Sequence, residues 1–309
     1  MKAKELIKNI SPINNKQEMP AALYVAKKLL GFFFILVLST VVSEALVIGI
    51  FTAMGYNPLN GEMPAWDVVQ LFKYYGYALF CVVALLYCKL VEKRNLSSVG
   101  FNKKVFDYII GGIAAIVLLV VIVGICCATG VFSFNYVTST VDAVYLITLF
   151  TGFFVQSFAE EIMSRGYLLP SLLKRTSLPI AIFVSSTAFA LPHMLSLMEA
   201  ETQFVIVGTL NLYLVSAVFS LLFVLRSNIY IVGGLHCVWN FVLYGAMGLS
   251  VSGGNSNENA LMSFNVNAQN ILSGGAYGVE ASIITTVVLG VTVILLVRLC
   301  KKRGVKNGF

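Results

Sequence analysis

Charge is scarce in this chain. Only 11% of its 309 residues are charged, while 58% are hydrophobic. A soluble domain averages about 25% charged and 45–50% apolar residues. The shortage excludes an ordinary soluble globule and points to a polytopic, all-α integral membrane protein. Histidine is scarcer still, with His193 and His236 the only two. They lie on different segments, so the chain lacks the HExxH arrangement that puts two zinc-binding histidines one helical turn apart. The six cysteines (Cys81, Cys88, Cys126, Cys127, Cys237 and Cys300) show no metal-knuckle or redox-pair spacing. They read as small buried hydrophobes, although Cys300, beside Lys301 and Lys302, also fits a weak palmitoylation pattern. Internal repeats, low-complexity tracts and a soluble domain are lacking too. The first apolar run is too long for a signal-peptide core, so no cleaved leader is expected. A net charge of +7 does not imply nucleic acid here. The basic residues sit in short segments between apolar runs, as membrane orientation requires.

A membrane-spanning helix needs about 20 mostly apolar residues. Eight stretches qualify, near 29–53, 69–91, 107–132, 143–168, 178–198, 203–225, 229–249 and 281–299. The loops support that number. Lys2, Lys4, Lys8, Lys16, Lys27 and Lys28 precede the first span. Lys89, Lys93, Arg94, Lys103 and Lys104 follow the second, Lys174 and Arg175 the fourth, and Arg226 the sixth. Arg298, Lys301, Lys302, Arg303 and Lys306 close the chain. The alternate loops, near 54–68, 133–142, 199–202 and 250–280, contain acids but neither Lys nor Arg. Eight spans put every basic loop on one side, and the positive-inside rule then makes both termini cytoplasmic, in a plasma-membrane setting. Lys73, near the outer end of the second span, is the exception and is expected to snorkel. The Gly/Asn/Ser-rich stretch 250–280 reads as an outer loop. Four regions follow: a basic, interfacial N-terminal segment (1–28), three N-terminal spans (29–142), a core (143–249), and an outer loop with the last span and basic tail (250–309).

Three polar constellations interrupt the apolar spans. In FAEEIMSRGY, Glu161 and Arg165 are four apart and share a helix face. Glu160 points about 100° away. In FALPHM, Phe189 and His193 are four apart, and Pro192 loosens the helix just before the histidine. In HCVWNF, His236 and Asn240 are four apart, after a Gly233–Gly234 pair that permits close helix approach. Each alone has a plain structural reading: a salt bridge at a helix end, a histidine bonded to a neighbouring helix, or interhelical polar glue. Together they do more. Both histidines fall inside spans, and the residues lie at comparable distances from basic loops, roughly 15–27 Å at 1.5 Å per helical residue. A carboxylate, two imidazoles and a carboxamide converging in a low-dielectric cavity suit water activation and oxyanion stabilisation. Glu44, mid-span in LSTVVSEALVIG, fits a bond to a neighbouring helix better than the edge of a cavity.

EEIMSR, FALPH and HCVWN, in that order on successive helices, resemble the Glu-Glu-x-x-x-Arg, Phe-x-x-x-His and His-x-x-x-Asn motifs of the CPBP (Abi) intramembrane proteases. That family includes the type II CAAX prenyl endopeptidases and bacteriocin-processing or immunity proteins. The resemblance covers about residues 143–247. It implies an endopeptidase that cleaves near the cytoplasmic side of the membrane. Glu160 would be the general base, and His193 would hold or activate the water. His236 and Asn240 would donate to the oxyanion. Glu161 and Arg165 would form a structural pair, with Phe189 packing beside the site. The implied partners are the lipid bilayer and a peptide or membrane-anchored protein substrate, with no nucleic acid. The implied cofactor is either none or a divalent metal such as zinc, held by Glu160, His193 and His236. An inactive adaptor or immunity protein is the alternative, and a proton-coupled transporter a weaker one.

Overall fold

The computed structural model of the protein describes residues 9–305. Among them, eight helices are long and apolar enough to cross a membrane. They are α1 (Ala21–Ala53), α2 (Trp66–Leu90), α3 (Asp107–Ala128), α4 (Ala143–Leu172), α5 (Leu178–Leu197), α6 (Thr202–Arg226), α7 (Ile229–Ala246) and α8 (Ile283–Lys302). The protein is thus an all-α, multi-pass integral membrane protein. Large apolar side chains such as Val37, Ile109, Val144, Phe183 and Ile294 are exposed on the outer faces, where lipid covers them.

Local chemistry sets several helix starts. Asp142 accepts from the Tyr145 N–H (2.9 Å), Asn228 from Tyr230 (2.7 Å) and Ser282 from Ile284 (3.0 Å). Each supplies an acceptor for a first-turn donor that the helix itself cannot satisfy. Pro179 occupies the first turn of α5, where its missing N–H has no intrahelical role.

The loops gather on two faces. On one, Asp107 accepts from Arg226 and Asn228, the Ile229 N–H donates to Gly100 O, and Arg175 donates to Gln17 O. On the other, the Thr138 N–H donates to Leu261 O, and Tyr145 donates to Asn257. Every described basic loop residue lies on the first, basic face. The opposite face carries a small sheet that hydropathy did not reveal. There β1 (Phe132–Val137) pairs antiparallel with β2 (Met262–Val266), joining two loops read from sequence as irregular.

α7 is the most buried helix, and α3 packs along it through glycines. A Cβ on Gly111 would overlap the Ile231 carbonyl, and one on Gly234 would overlap the Tyr108 carbonyl. In lipid, where burial of apolar surface gives no net drive between helices, such close backbone contact is a main source of attraction.

Three sequence expectations need correction. α1 begins at Ala21, so Lys27 and Lys28 belong to the helix and are buried, not interfacial. Lys28 Nζ donates to both Glu92 oxygens (2.7 and 2.6 Å), and Lys27 Nζ donates to Asn14 Oδ1 and Lys16 O. A hydrogen-bonded ammonium tolerates burial far better than an isolated one, which a reading that treats each charge as a boundary overlooks. The first eight residues of the N-terminal segment, with Lys2, Lys4 and Lys8, lie outside the described residues, as does Lys306. Glu44 is exposed on α1 and lines neither cavity described below. Among the described residues it has no hydrogen-bond partner. Cys300 is fully buried and so closed to an acyl group, and all six cysteines are free.

Candidate active site

α4, α5 and α7 bring the three constellations together. Glu160 Oε2 lies 3.7 Å from His193 Nε2 and 4.0 Å from His236 Nε2. The Glu160 and His193 side chains are 15% and 20% exposed, so the meeting point is shielded without being sealed.

Each group is held from behind. Gln156, one turn earlier on α4, donates to Glu160 Oε1 at 3.2 Å, which leaves Oε2 buried without a partner among the described residues. His193 Nδ1–H donates to the Phe189 carbonyl at 2.9 Å. Pro192 cannot bond back to Ala188, so the turn carrying this histidine is loosened. His236 Nδ1–H donates to Glu161 Oε1 at 3.0 Å. Both rings therefore turn Nε2 toward Glu160; the bond at one ring nitrogen sets the role of the other.

Glu161 does more than pair with Arg165. Its Oε1 accepts from Arg165 Nη1 at 3.1 Å as well as from His236, and both members of the ion pair are fully buried. Arg165 Nη2 donates to the hydroxyl and carbonyl of Ser216, at 2.6 and 3.1 Å. The guanidinium lies 4.5 Å from the Phe189 ring centre and 5.1 Å from that of Phe219, and Phe219 stacks on His236 at 5.2 Å. One arginine thus orders α4, α5 and α6 around one imidazole. The sequence reading missed Ser216 and Phe219, which sit in an uncharged part of α6. It also missed Gln156, whose spacing of four from Glu160 was visible.

Two of the three motif-bearing helices change their winding at the site. α4 becomes π-helical over Ile162–Leu168, directly after the two glutamates, and α7 over Phe241–Ala246, directly after Asn240. Wide turns of this kind recur at functional sites.

Two cavities meet at His193. The smaller, ≈ 50 Å³, is lined by His193, His236, Asn240, Asn211 and Phe219, and that volume admits a few waters. Asn240 is 5% exposed, and its carboxamide has no hydrogen-bond partner among the described residues. The larger, ≈ 970 Å³, is lined by Glu160, His193, Gln156, Lys73 and Ser252, among others. Lys73 therefore faces the cavity, where snorkelling alone was expected. The stretch 250–280 also contributes to the site. Glu280 accepts from Trp239 Nε1 (3.0 Å) and from the Ser252 N–H (2.6 Å), pinning the loop beside Asn240.

Glu160, His193 and His236 have the chemistry of zinc ligands. Among the described residues, no group of three or more His, Cys, Asp or Glu is arranged to hold a metal ion. No step below runs through a metal.

Residues 142–242 match the family model of the type II CAAX prenyl endopeptidases, Rce1-like. These residues form an Rce1-like domain. It runs from the cap of α4 to just past Asn240 and contains all seven motif residues. Comparison with curated proteins gives no match. Over this third of the chain the similarity is to CAAX-protease-like intramembrane proteases. α1, α2 and the 251–255 loop lie outside the domain, yet they supply much of the larger cavity's wall.

Proposed function

We propose that the protein is an intramembrane endopeptidase of the glutamate type, working in the plasma membrane on a peptide or membrane-anchored protein. The observation that supports this reading is the approach of Glu160 Oε2 to the Nε2 atoms of both histidines, at 3.7 and 4.0 Å. These separations exceed a direct hydrogen bond and suit one bridging water. If both rings were neutral, three lone pairs would converge, and water can donate to only two of them. His236 is the group best suited to carry the extra proton, since it lies between Glu161 and Glu160. As an imidazolium it donates from Nε2.

The reaction then needs only residues of this chain. Glu160 takes a proton from the water, His193 orients it, and its oxygen attacks the scissile carbonyl carbon. His236 Nε2–H and the Asn240 carboxamide donate to the oxyanion. When the C–N bond breaks, Glu160 returns its proton to the leaving amine. Glu161 and Arg165 keep the His236 ring in place, and Phe189 walls the pocket. In this reading the segment 143–249 is the catalytic core, with 29–142 and 250–309 as its frame.

Glu160→Gln and His193→Ala should each abolish cleavage while membrane insertion and yield stay intact. Asn240→Ala should lower the rate by about 10²–10³, as removal of one oxyanion donor does elsewhere. The test compares membrane-derived peptides from cells carrying the intact protein and each variant. Full processing by both Glu160→Gln and His193→Ala would rule out the mechanism.

A further inference from the structure

We propose that this site takes its substrate from the face opposite the basic loops, so that the cleaved bond belongs to a membrane-anchored polypeptide exposed outside the cell. The substrate clause rests on the peptidase reading above; the direction of access does not.

The route from the basic face is closed. From Glu161 to Leu169, every residue of α4 on the way to that face is buried. Tyr167 packs so tightly on Gly31 of α1 that a Cβ there would overlap its hydroxyl. The same hydroxyl donates to Lys28 O at 3.2 Å, and its ring meets Tyr87 edge-on at 5.3 Å. Tyr87 in turn donates to Pro12 O at 2.6 Å, which draws the segment before α1 across this face. Arg94 donates to Gly166 O and Tyr167 O from the neighbouring loop.

The route from the opposite face is open. The larger cavity runs past Glu160 to Gln70 and Lys73 near the start of α2, Ser196 in the last turn of α5, and Ser252–Asn255 beyond α7. Lys73, Gly253, Gly254 and Asn255 are exposed. No residue of a basic-face loop lines this cavity. The stagger of α5 agrees. His193 is four residues from the helix's end on the open face, about 6 Å at 1.5 Å per residue, and about 22 Å from its basic-face end.

Charge then gives the faces their sides. Apart from Lys73 and the site's buried Arg165, every described Lys and Arg belongs to the basic face or the helix ends that reach it, and such a bias marks the cytoplasmic side. The cavity therefore opens to the outside. The resemblance to the CPBP proteases implies cleavage near the cytoplasmic side, and access from outside departs from it; depth counted along the sequence to the nearest basic residue does not show where the walls part. Facing walls from α1 (Phe33, Leu36) and α5 (Leu191, Leu195) are apolar. They suit a chain that arrives from the lipid and not a soluble peptide.

The test is labelling of single introduced cysteines in the full-length protein with a membrane-impermeant maleimide, read against the parent protein. In intact cells, Ser196→Cys in the cavity and Asn255→Cys at its rim should be labelled. Lys174→Cys on the basic face should react at least ~10-fold more after permeabilisation. Labelling of Ser196→Cys or Asn255→Cys only after permeabilisation overturns the proposal, as does Lys174→Cys labelling in intact cells. The experiment is repeated in the Glu160→Gln background, where the same pattern is expected, so loss of proteolysis does not affect it. Absence of any Glu160-dependent fragment would refute the peptidase reading alone. Glu160-dependent cuts confined to cytoplasmic segments would overturn the substrate clause.

Discussion

The buried Glu161–Arg165 pair gives a prediction that separates folding from chemistry. Both side chains are fully buried, and Glu161 also holds His236 Nδ1 at 3.0 Å. Arg165→Met keeps much of the length that packs between Phe189 and Phe219, but leaves the carboxylate with one donor. Removing one member of a buried ion pair typically costs about 3–5 kcal/mol. At about 2–4 °C per kcal/mol, the scale of soluble domains of roughly 150–250 residues, the melting temperature in detergent should fall by roughly 6–20 °C. The double variant Glu161→Gln/Arg165→Met removes both charges. Replacing a whole buried pair by neutral groups of similar volume is often close to neutral, so most of the lost stability should return.

Activity should not return with it. The carboxamide oxygen introduced by Glu161→Gln can still accept from His236 Nδ1–H, so the tautomer survives, but the negative charge that favours the imidazolium is gone. A neutral His236 with Nδ1 protonated has no Nε2–H to give, so a loss on the order of 10²–10³, the scale of removing one oxyanion donor, is expected. The assays are thermal denaturation of the purified protein and Glu160-dependent cleavage in membranes. A double variant as unstable as Arg165→Met would refute the ion-pair energetics. A double variant that regains both stability and full cleavage would refute the role given to Glu161 in supporting His236.

Other predictions follow from particular contacts. Glu280→Ala removes the acceptor for both Trp239 Nε1 and the Ser252 N–H; limited proteolysis within 250–280 should speed up, with KM rising more than kcat falls. Gly234→Val places side-chain carbons on the Tyr108 carbonyl; overpacking of this kind costs about 1–3 kcal/mol or more, visible as a lower yield of monodisperse protein. Lys28→Met strands the buried Glu92 carboxylate and should destabilise by about 3–5 kcal/mol. The pH profile of whatever activity remains should be unchanged, because Lys28 lies on the sealed basic face.

What the sequence revealed and what it hid divide along one physical line. Hydropathy counts what lipid will accept, so eight spans and two loop faces could be read directly. Helical spacing of four reports which residues share a face, so Glu161 with Arg165 and His236 with Asn240 could be paired within their helices. Neither rule reports what a residue meets on another helix. For that reason Lys27 and Lys28 were read as the end of a polar segment, when partners from the preceding segment and from Glu92 allow them to be buried. For the same reason Glu161 was seen tied to Arg165, but not to an imidazole 75 residues away. Phe219 and Ser216 carried no signal, because a phenylalanine that stacks on a buried imidazole and one that faces lipid look alike in an apolar run. Depth suffered most. Counting residues from Arg175 to His193 gives a length along α5 and no direction of approach, and the open end of the cavity is set by where α1, α2 and the 251–255 loop stand apart. Those segments lie outside the Rce1-like domain. The candidate constellation is therefore carried by the matched third of the chain, while much of the wall of the cavity that leads to it is built from residues that no motif marks.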